Sequence, residues 1–298
     1  MDFLCTFVAD KPHDSSYSPM KLIVDSGSTK TTWLLLSALR EAASEFHTLG
    51  INPVRDDEQA VRTVVAEAAG KCGEAARSVT AVYFYGAGCM EPYSGVVRRA
   101  LGDAFPAVGE LSVESDLLGA ARALCGHEEG IACILGTGAN SCLYDGCDIV
   151  RHTPALGWIL GDEGSGAVLG RLLVGDVLKR QLPEAVCAAF FNRFHLTQAD
   201  LIERVYRQSQ PNRFLASLVP FLSEHVEDAS VRQLLVCEFR RFLVRNVSAY
   251  GRPDLAISFV GGVASHFRGP LQEAVEAEGF RLGRIEPEPV RGMALFHR

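Results

Sequence analysis

The sequence predicts an α/β protein of two lobes, each with a related α/β core, facing each other across a cleft. Three observations predict it. Two strand–turn–strand units with small polar turns occur at residues 21–36 and 131–144, the pattern of a duplicated α/β unit. Within each half, short apolar runs give way to stretches of helical spacing, as layered strands and helices require. The chain has 298 residues, 48% of them hydrophobic and 22% charged, which is the balance of a globular protein with length enough for two cores.

Residues 1–19 are expected to be a flexible extension or an artefact of start-codon choice, because Met20 directly precedes the first convincing strand. Residues 21–24 and 33–36 are β-rich runs joined by a turn of Gly, Ser and Thr, and so form a β-hairpin. Ala60, Val61, Val64, Val65 and Ala68 recur at helical intervals within 57–71, and 81–85 is a buried-strand run ending at Gly86. Residues 115–124 predict a helix opened by a polar cap, since either Ser115 or Asp116 can accept from the free amides of its first turn.

The second half opens on the same plan: 131–135 is apolar, 136–139 turns, and 140–144 returns as a strand. A glycine-rich loop at 156–166 feeds a helix over 167–180, and helical stretches follow at 199–207, 214–225 and 231–250. Residues 255–260 form a buried strand broken by Gly261 and Gly262, 267–277 resumes helical spacing, and 289–297 is the last helix. These assignments place an N-terminal α/β lobe at 20–125, joined by the C-terminal helix at 288–298, and a C-terminal α/β lobe at 126–287.

A formal net charge of −7 argues against a general nucleic-acid or anionic-membrane binder, which needs a basic surface to meet phosphate. No apolar run approaches the roughly 20 residues of a membrane-spanning helix. The opening residues make a poor signal peptide, because Asp2 precedes any basic group and the apolar piece is short. The cytoplasm is the expected location. Nine cysteines lie scattered through apolar stretches without a C-x-x-C pair, which reads as buried reduced thiols. His127, His152 and His195 are isolated, with no H-x-x-x-H pattern and no neighbouring Cys at ligand spacing, so no structural transition-metal site is expected.

The turn DSGSTKT at 25–31 can cradle phosphate. Gly27 leaves the backbone accessible, the amides and hydroxyls of Ser28, Thr29, Lys30 and Thr31 can meet phosphoryl oxygens, and Asp25 can hold a hydrated Mg²⁺ against them. Small hydroxylated residues suit an ordinary hairpin turn equally well. Neither G-x-x-x-x-G-K-[ST] nor G-x-G-x-x-G is present, which excludes a P-loop enzyme and disfavours a dinucleotide fold. Gly136, Thr137 and Gly138 repeat the idea in the second lobe. Gly261 and Gly262 would let a third segment approach a flat or charged ligand, although a tight strand–helix turn explains them as well.

DSGSTKT (25–31), LGTGAN (135–140), GWILGDEGS (157–165) and VGGV (260–263), in this order, resemble the N-acetylglucosamine kinases and BadF/BadG-type ATPases of the actin-like sugar kinase superfamily. The resemblance spans 21–297 and implies an actin-like ATPase (ribonuclease H-like) fold that binds ATP and Mg²⁺ between its lobes. It implies that Asp116, in ESDLLGA (114–120), is the base that takes the proton of a sugar hydroxyl during phosphoryl transfer; a carboxylate there can also cap the helix. It further implies that Asn52, Asn140 and Asp162 bind the sugar and that Trp158 walls its pocket. Asn52 before Pro53 is also ordinary turn chemistry, and a Trp in a glycine-rich loop is often only core.

The expected activity is ATP-dependent transfer to a hydroxyl, the 6-hydroxyl by resemblance, of N-acetylglucosamine or a relative such as N-acetylmuramic acid or glucosamine. Two other functions compete. An activator of 2-hydroxyacyl-CoA dehydratases needs an iron–sulfur cluster and a CAAGTG pattern, whereas Ile134 and Leu135 precede Gly136 here and Cys133 lies inside the strand. A non-catalytic sugar-binding regulator would have lost the base or a phosphate loop, and both are intact. The expected partner is a small sugar, with no nucleic acid and no membrane, and such families often form homodimers.

Overall fold

The computed structural model describes residues 18–27, 29–37 and 42–298. Of the extension expected at 1–19, only Ser18 and Pro19 fall within it, and Ser28 lies outside the described residues.

β1 (Met20–Ser26), β2 (Lys30–Leu36) and β3 (Ala42–Leu49) form an antiparallel meander. α1 (Glu58–Cys72) leads to β4 (Val79–Gly86), which pairs parallel with β1, and α2 (Ser94–Ala104) leads to β5 (Glu110–Ser115), parallel with β4. α3 (Asp116–Cys125) then leaves the sheet, whose strand order is β3-β2-β1-β4-β5. A second antiparallel meander follows in β6 (Glu129–Leu135), β7 (Ala139–Asp145) and β8 (Ile149–His152).

A helical block comes next: α4 (Gly157–Leu160), α5 (Gly166–Leu178), α6 (Glu184–Phe194), α7 (Gln198–Tyr206), α8 (Pro211–Ser217), α9 (Pro220–Glu224) and α10 (Ala229–Phe242). α10 runs on through a π turn at Leu243–Val247 and a 3-10 turn at Ser248–Tyr250. β9 (Ala256–Val260), α11 (Gly262–His266), α12 (Arg268–Ala277), β10 (Arg281–Glu286) and α13 (Val290–Phe296) complete the chain. The second sheet reads β8-β7-β6-β9-β10 from one edge, so each sheet has its third, second, first, fourth and fifth strands in that spatial order. That repeated topology is the duplicated α/β core the sequence predicts.

β2 is buried from Thr31 onward and β1 at Leu22, Ile23, Val24 and Ser26. Trp33 is fully buried on β2, where it stacks on Phe46 and donates from Nε1 to Thr48 Oγ1 at 2.8 Å on β3, so its one polar atom stays paired inside the core. The expected helix at 214–225 is two helices, α8 and α9. Pro220 has no N–H to continue α8 and is accepted at the first position of α9.

α3 is wedged between the two sheets. Leu117, Leu118, Ala121 and Leu124 pack with Ala132, Cys142, Tyr144 and Val260 of the second, while Ala123 joins Tyr83, Tyr85 and Met293 against the first. At Gly119 a Cβ would stand 2.4 Å from Met293 Cε and 2.7 Å from Tyr85 Cγ, so this crossing depends on the missing side chain. α13 returns to the first sheet, where Val290 and Met293 are buried, each contributing about 1.5–3 kcal/mol. Beyond α13, His297 Nε2 lies 2.6 Å from the Tyr85 hydroxyl, which also accepts from Arg122 at 2.9 Å, and Lys21 donates to the His297 carbonyl at 2.9 Å. No helix among the described residues is long and apolar enough to cross a membrane.

Candidate active site

The turns that follow β1 and β6 open onto one cavity of about 450 Å³, at the ends of the strands where α/β proteins bind ligands. Asp25, Gly27, Thr29 and Lys30 line it from the first lobe, and Gly136, Thr137, Gly138 and Asn140 from the second. Asp116, Asp162, Gly261 and Gly262 complete the set of expected residues that the fold brings together.

Register places the first turn. Ser26 pairs with Thr31 across the hairpin, and Gly27 N–H donates to the Lys30 carbonyl at 3.0 Å. The second turn is tighter, with Gly136 N–H donating to the Gly138 carbonyl at 3.0 Å. Two amides at the start of α5 hold it from behind, as Gly166 N–H donates to the Gly136 carbonyl at 2.8 Å and Ala167 N–H to the Thr137 carbonyl at 3.1 Å. A Cβ at Gly138 would meet Asp162 Oδ2 at 3.2 Å, whereas at Gly136 nothing stands within 4 Å.

The paired glycines after β9 divide their roles. Gly261 has φ +121°, and a Cβ there would sit 2.4 Å from the Leu135 carbonyl oxygen, so only glycine makes this turn. Gly262 has open space around its Cα and presents bare backbone to the cavity.

Ser115 caps α3, accepting from Leu118 N–H at 3.2 Å. Asp116 is thereby released from the capping role, although its Oδ1 accepts from Leu117 N–H at 2.9 Å. Burial pushes its carboxyl up to about 6 against the pull of that amide. Asp25 is pushed up to about 7, chiefly by burial and further by the Asp116 and Glu288 carboxylates, while Lys30 draws it down. Burial also raises Asp162, with the Glu163 charge adding to it and the Ala139 amide opposing.

Three expected residues do not line this cavity. Thr31 is fully buried, and its hydroxyl donates to the Leu49 carbonyl at 2.9 Å and lies 2.7 Å from Ser26 Oγ. It braces the hairpin because side chains alternate along β2, and Thr31 points away from the face that Lys30 uses. Trp158 packs against the core of the second lobe. Asn52 stands beside Gly88, its Oδ1 accepting from Val54 N–H at 3.1 Å.

A scan against protein-family models found no match, and neither did a search of curated proteins. Among solved structures, the chain is 48% identical to a candidate N-acetylglucosamine kinase of Porphyromonas gingivalis, with 93% of this chain and 98% of that one covered and a TM-score of 0.88. The chain belongs to the N-acetylglucosamine kinase family. Two more distant structures share its actin-like fold. One is a candidate N-acetylglucosamine kinase of Chromobacterium violaceum, 19% identical over 94% of this chain and 99% of that one, with a TM-score of 0.74. The other is a ROK-family glucokinase of Streptomyces griseus solved with glucose and AMPPNP, 16% identical over 93% and 98%, with a TM-score of 0.55.

In this N-acetylglucosamine kinase family member, the structure adds residues that no local motif announces. Glu288 lines the cavity and pairs with Lys30 at 2.6 Å. Ala216, Val219, Pro220, Ser223, His266 and Phe267 line an adjoining cavity of about 340 Å³ that shares Gly136, Thr137 and Gly262 with the first. His266 Nδ1 donates to the Gly262 carbonyl at 2.7 Å. These side chains come from α8, α9, α11 and their flanks, segments that meet only in the folded chain.

Proposed function

We propose that this protein is an ATP-dependent amino-sugar kinase that transfers the γ-phosphoryl group to a hydroxyl, the 6-hydroxyl, of N-acetylglucosamine or a related sugar such as N-acetylmuramic acid or glucosamine. The observation that carries the reading is the opening of Asp116 and both glycine-containing turns onto one cavity. In this reading adenine occupies the adjoining cavity, whose apolar wall of Ala216, Val219 and Phe267 suits a flat purine. The triphosphate passes Gly262 and Gly136, where the backbone is bare, toward Thr29 and Lys30.

Among the described residues the main cavity is lined by four carboxylates, Asp25, Asp116, Asp162 and Glu288, and by Lys30 as the cationic side chain. A triphosphate cannot sit beside that charge without a divalent cation, so the donor set fits Mg²⁺ held by Asp25 through water. Mg²⁺ there supplies positive charge to the phosphates.

Asn140 and Asp162, which line the cavity, hold the sugar. Asp116 accepts the hydroxyl proton as the sugar oxygen bonds to the γ-phosphorus. The bond to the bridging oxygen breaks, and ADP leaves with its electron pair. A carboxyl near 6 is ionised at neutral pH yet basic enough to share a proton. The reading includes the lobe limits 20–125 with 288–298 and 126–287, a cytoplasmic setting and a homodimer.

The test is turnover with ATP and Mg²⁺ against N-acetylglucosamine, N-acetylmuramic acid, glucosamine, N-acetylmannosamine and glucose, followed by ADP release and sugar-phosphate mass. Rapid turnover with an amino sugar is expected. ATP hydrolysis that ignores every sugar would sink the proposal.

A further inference from the structure

Asn140 faces the cavity with an amide whose orientation can be read from its neighbours. Its Oδ1 lies 3.0 Å from the backbone nitrogen of Ser141, and a backbone N–H can only donate, so the atom it meets must be the amide oxygen. His152 Nε2 lies 2.9 Å from the same oxygen. It must therefore carry hydrogen too. With both lone pairs of Oδ1 engaged, the Asn140 NH₂ is left without a partner among the described residues and is the group presented to a ligand.

The two side chains are held by a common clamp. Ser141, next to Asn140, places its Oγ 2.7 Å from the Tyr250 hydroxyl and donates to the Asn246 carbonyl at 3.1 Å. Thr153, next to His152, donates from Oγ1 to the same carbonyl at 2.8 Å and from its backbone N–H to the same Tyr250 hydroxyl at 3.2 Å. Arg151, on the other side of His152, donates to the Tyr250 carbonyl at 3.0 Å. Asn246 belongs to the π turn at Leu243–Val247, and such irregular turns gather at functional sites. Its amide also donates to Glu163 Oε2 at 3.2 Å, beside Asp162. One short segment thus fixes the strands that carry Asn140 and His152 and the loop that carries Asp162.

Resting on the amino-sugar kinase reading, we propose that His152 is a positioning residue for substrate. By donating from Nε2 to Asn140 Oδ1, it turns the Asn140 NH₂ into the cavity, which Asp162 also lines, and makes the site select a sugar with an acceptor oxygen there. His152 itself need not touch the sugar. In the free protein water competes for this exposed contact, so the effect is read at sugar binding rather than in the fold.

The experiment compares wild type, His152→Ala and His152→Gln, since the Gln amide nitrogen can replace the lost donor. For His152→Ala the sugar KM is expected to rise about three- to tenfold, the worth of one neutral hydrogen bond, with kcat, the ATP KM and the melting temperature little changed. His152→Gln is expected to restore most of the sugar KM. An unchanged sugar KM in His152→Ala, or a Gln variant as poor as Ala, would overturn the proposal. ¹⁵N spectra of histidine-labelled wild type test the contact without turnover: hydrogen on Nε2 supports it, and a bare Nε2 overturns it. A wild type that phosphorylates no sugar but carries hydrogen on Nε2 refutes the kinase reading and leaves the hydrogen bond standing.

Discussion

Asp25 and Asp116 share one cavity, and each is pushed above the ordinary carboxyl range, to about 7 and about 6. For a general base the ionised form is the active one, so kcat/KM should climb with pH and level off above about 6. Asp116→Asn should lower kcat by about 10²-fold or more and flatten that profile. A stopped assay across pH 5 to 8, on roughly this scale, decides it; an Asn variant at wild-type rate would remove Asp116 from the mechanism. Stability carries the opposite sign. A carboxyl raised in the folded state binds its proton more tightly there than in the unfolded chain, so stability falls as pH rises from about 4 to about 7. The ligand-free Asp25→Asn variant should therefore melt above wild type at pH 8, by about 2–4 °C for each kcal/mol relieved, and the gain should shrink toward pH 4 in a calorimetric scan. Asp25 and Asp116 were legible in the sequence because each stands in a short motif. Glu288 was not, because it joins the cavity only where folding brings it beside Lys30, a residue far away in the chain.

Glycines separate structure from ligand contact at the scale of the element. Gly261→Ala places a methyl group against the Leu135 carbonyl at a backbone angle that side chains rarely adopt, and should cost about 2–4 kcal/mol in a denaturant melt. Gly262→Ala meets nothing within 4 Å, so stability should hold within about 0.5 kcal/mol while the ATP KM rises as the methyl group enters the cavity. Equal losses of stability in the two variants would contradict this division. The same scale explains which elements the sequence announced. β1, β2, β4, β6, β7 and β9 were expected as strands, and all are interior to their sheets. β3, β5, β8 and β10 were not, and all are edges. An edge strand buries little and carries residues such as those of Ala42–Leu49, mostly exposed, so it lacks the apolar run that marks an interior strand. α2 and α6 were passed over as well. Each buries an apolar stripe, Val97, Ala100 and Leu101 in one and Val186, Cys187 and Phe190 in the other, no narrower than that of α1, which was expected.

For the whole molecule, the decisive contacts join distant parts of the chain. Met293 is fully buried between α13, α3 and the first sheet, and Met293→Ala should cost about 2–5 kcal/mol by urea unfolding; a neutral result would mean that α13 adds nothing to the fold. The two-lobed plan was readable because the interior hairpins repeat, whereas the adjoining cavity was not, since its walls come from separate helices. The wedged position of α3 has a mechanical consequence. In a pair of tongs the rivet travels least while the tips travel most. Asp116 is mounted at the end of the rivet, and the turns after β1 and β6 sit on opposite jaws, so under the proposed mechanism any closure of the lobes would shift the turns proposed to hold phosphate far more than the carboxylate proposed to take the proton.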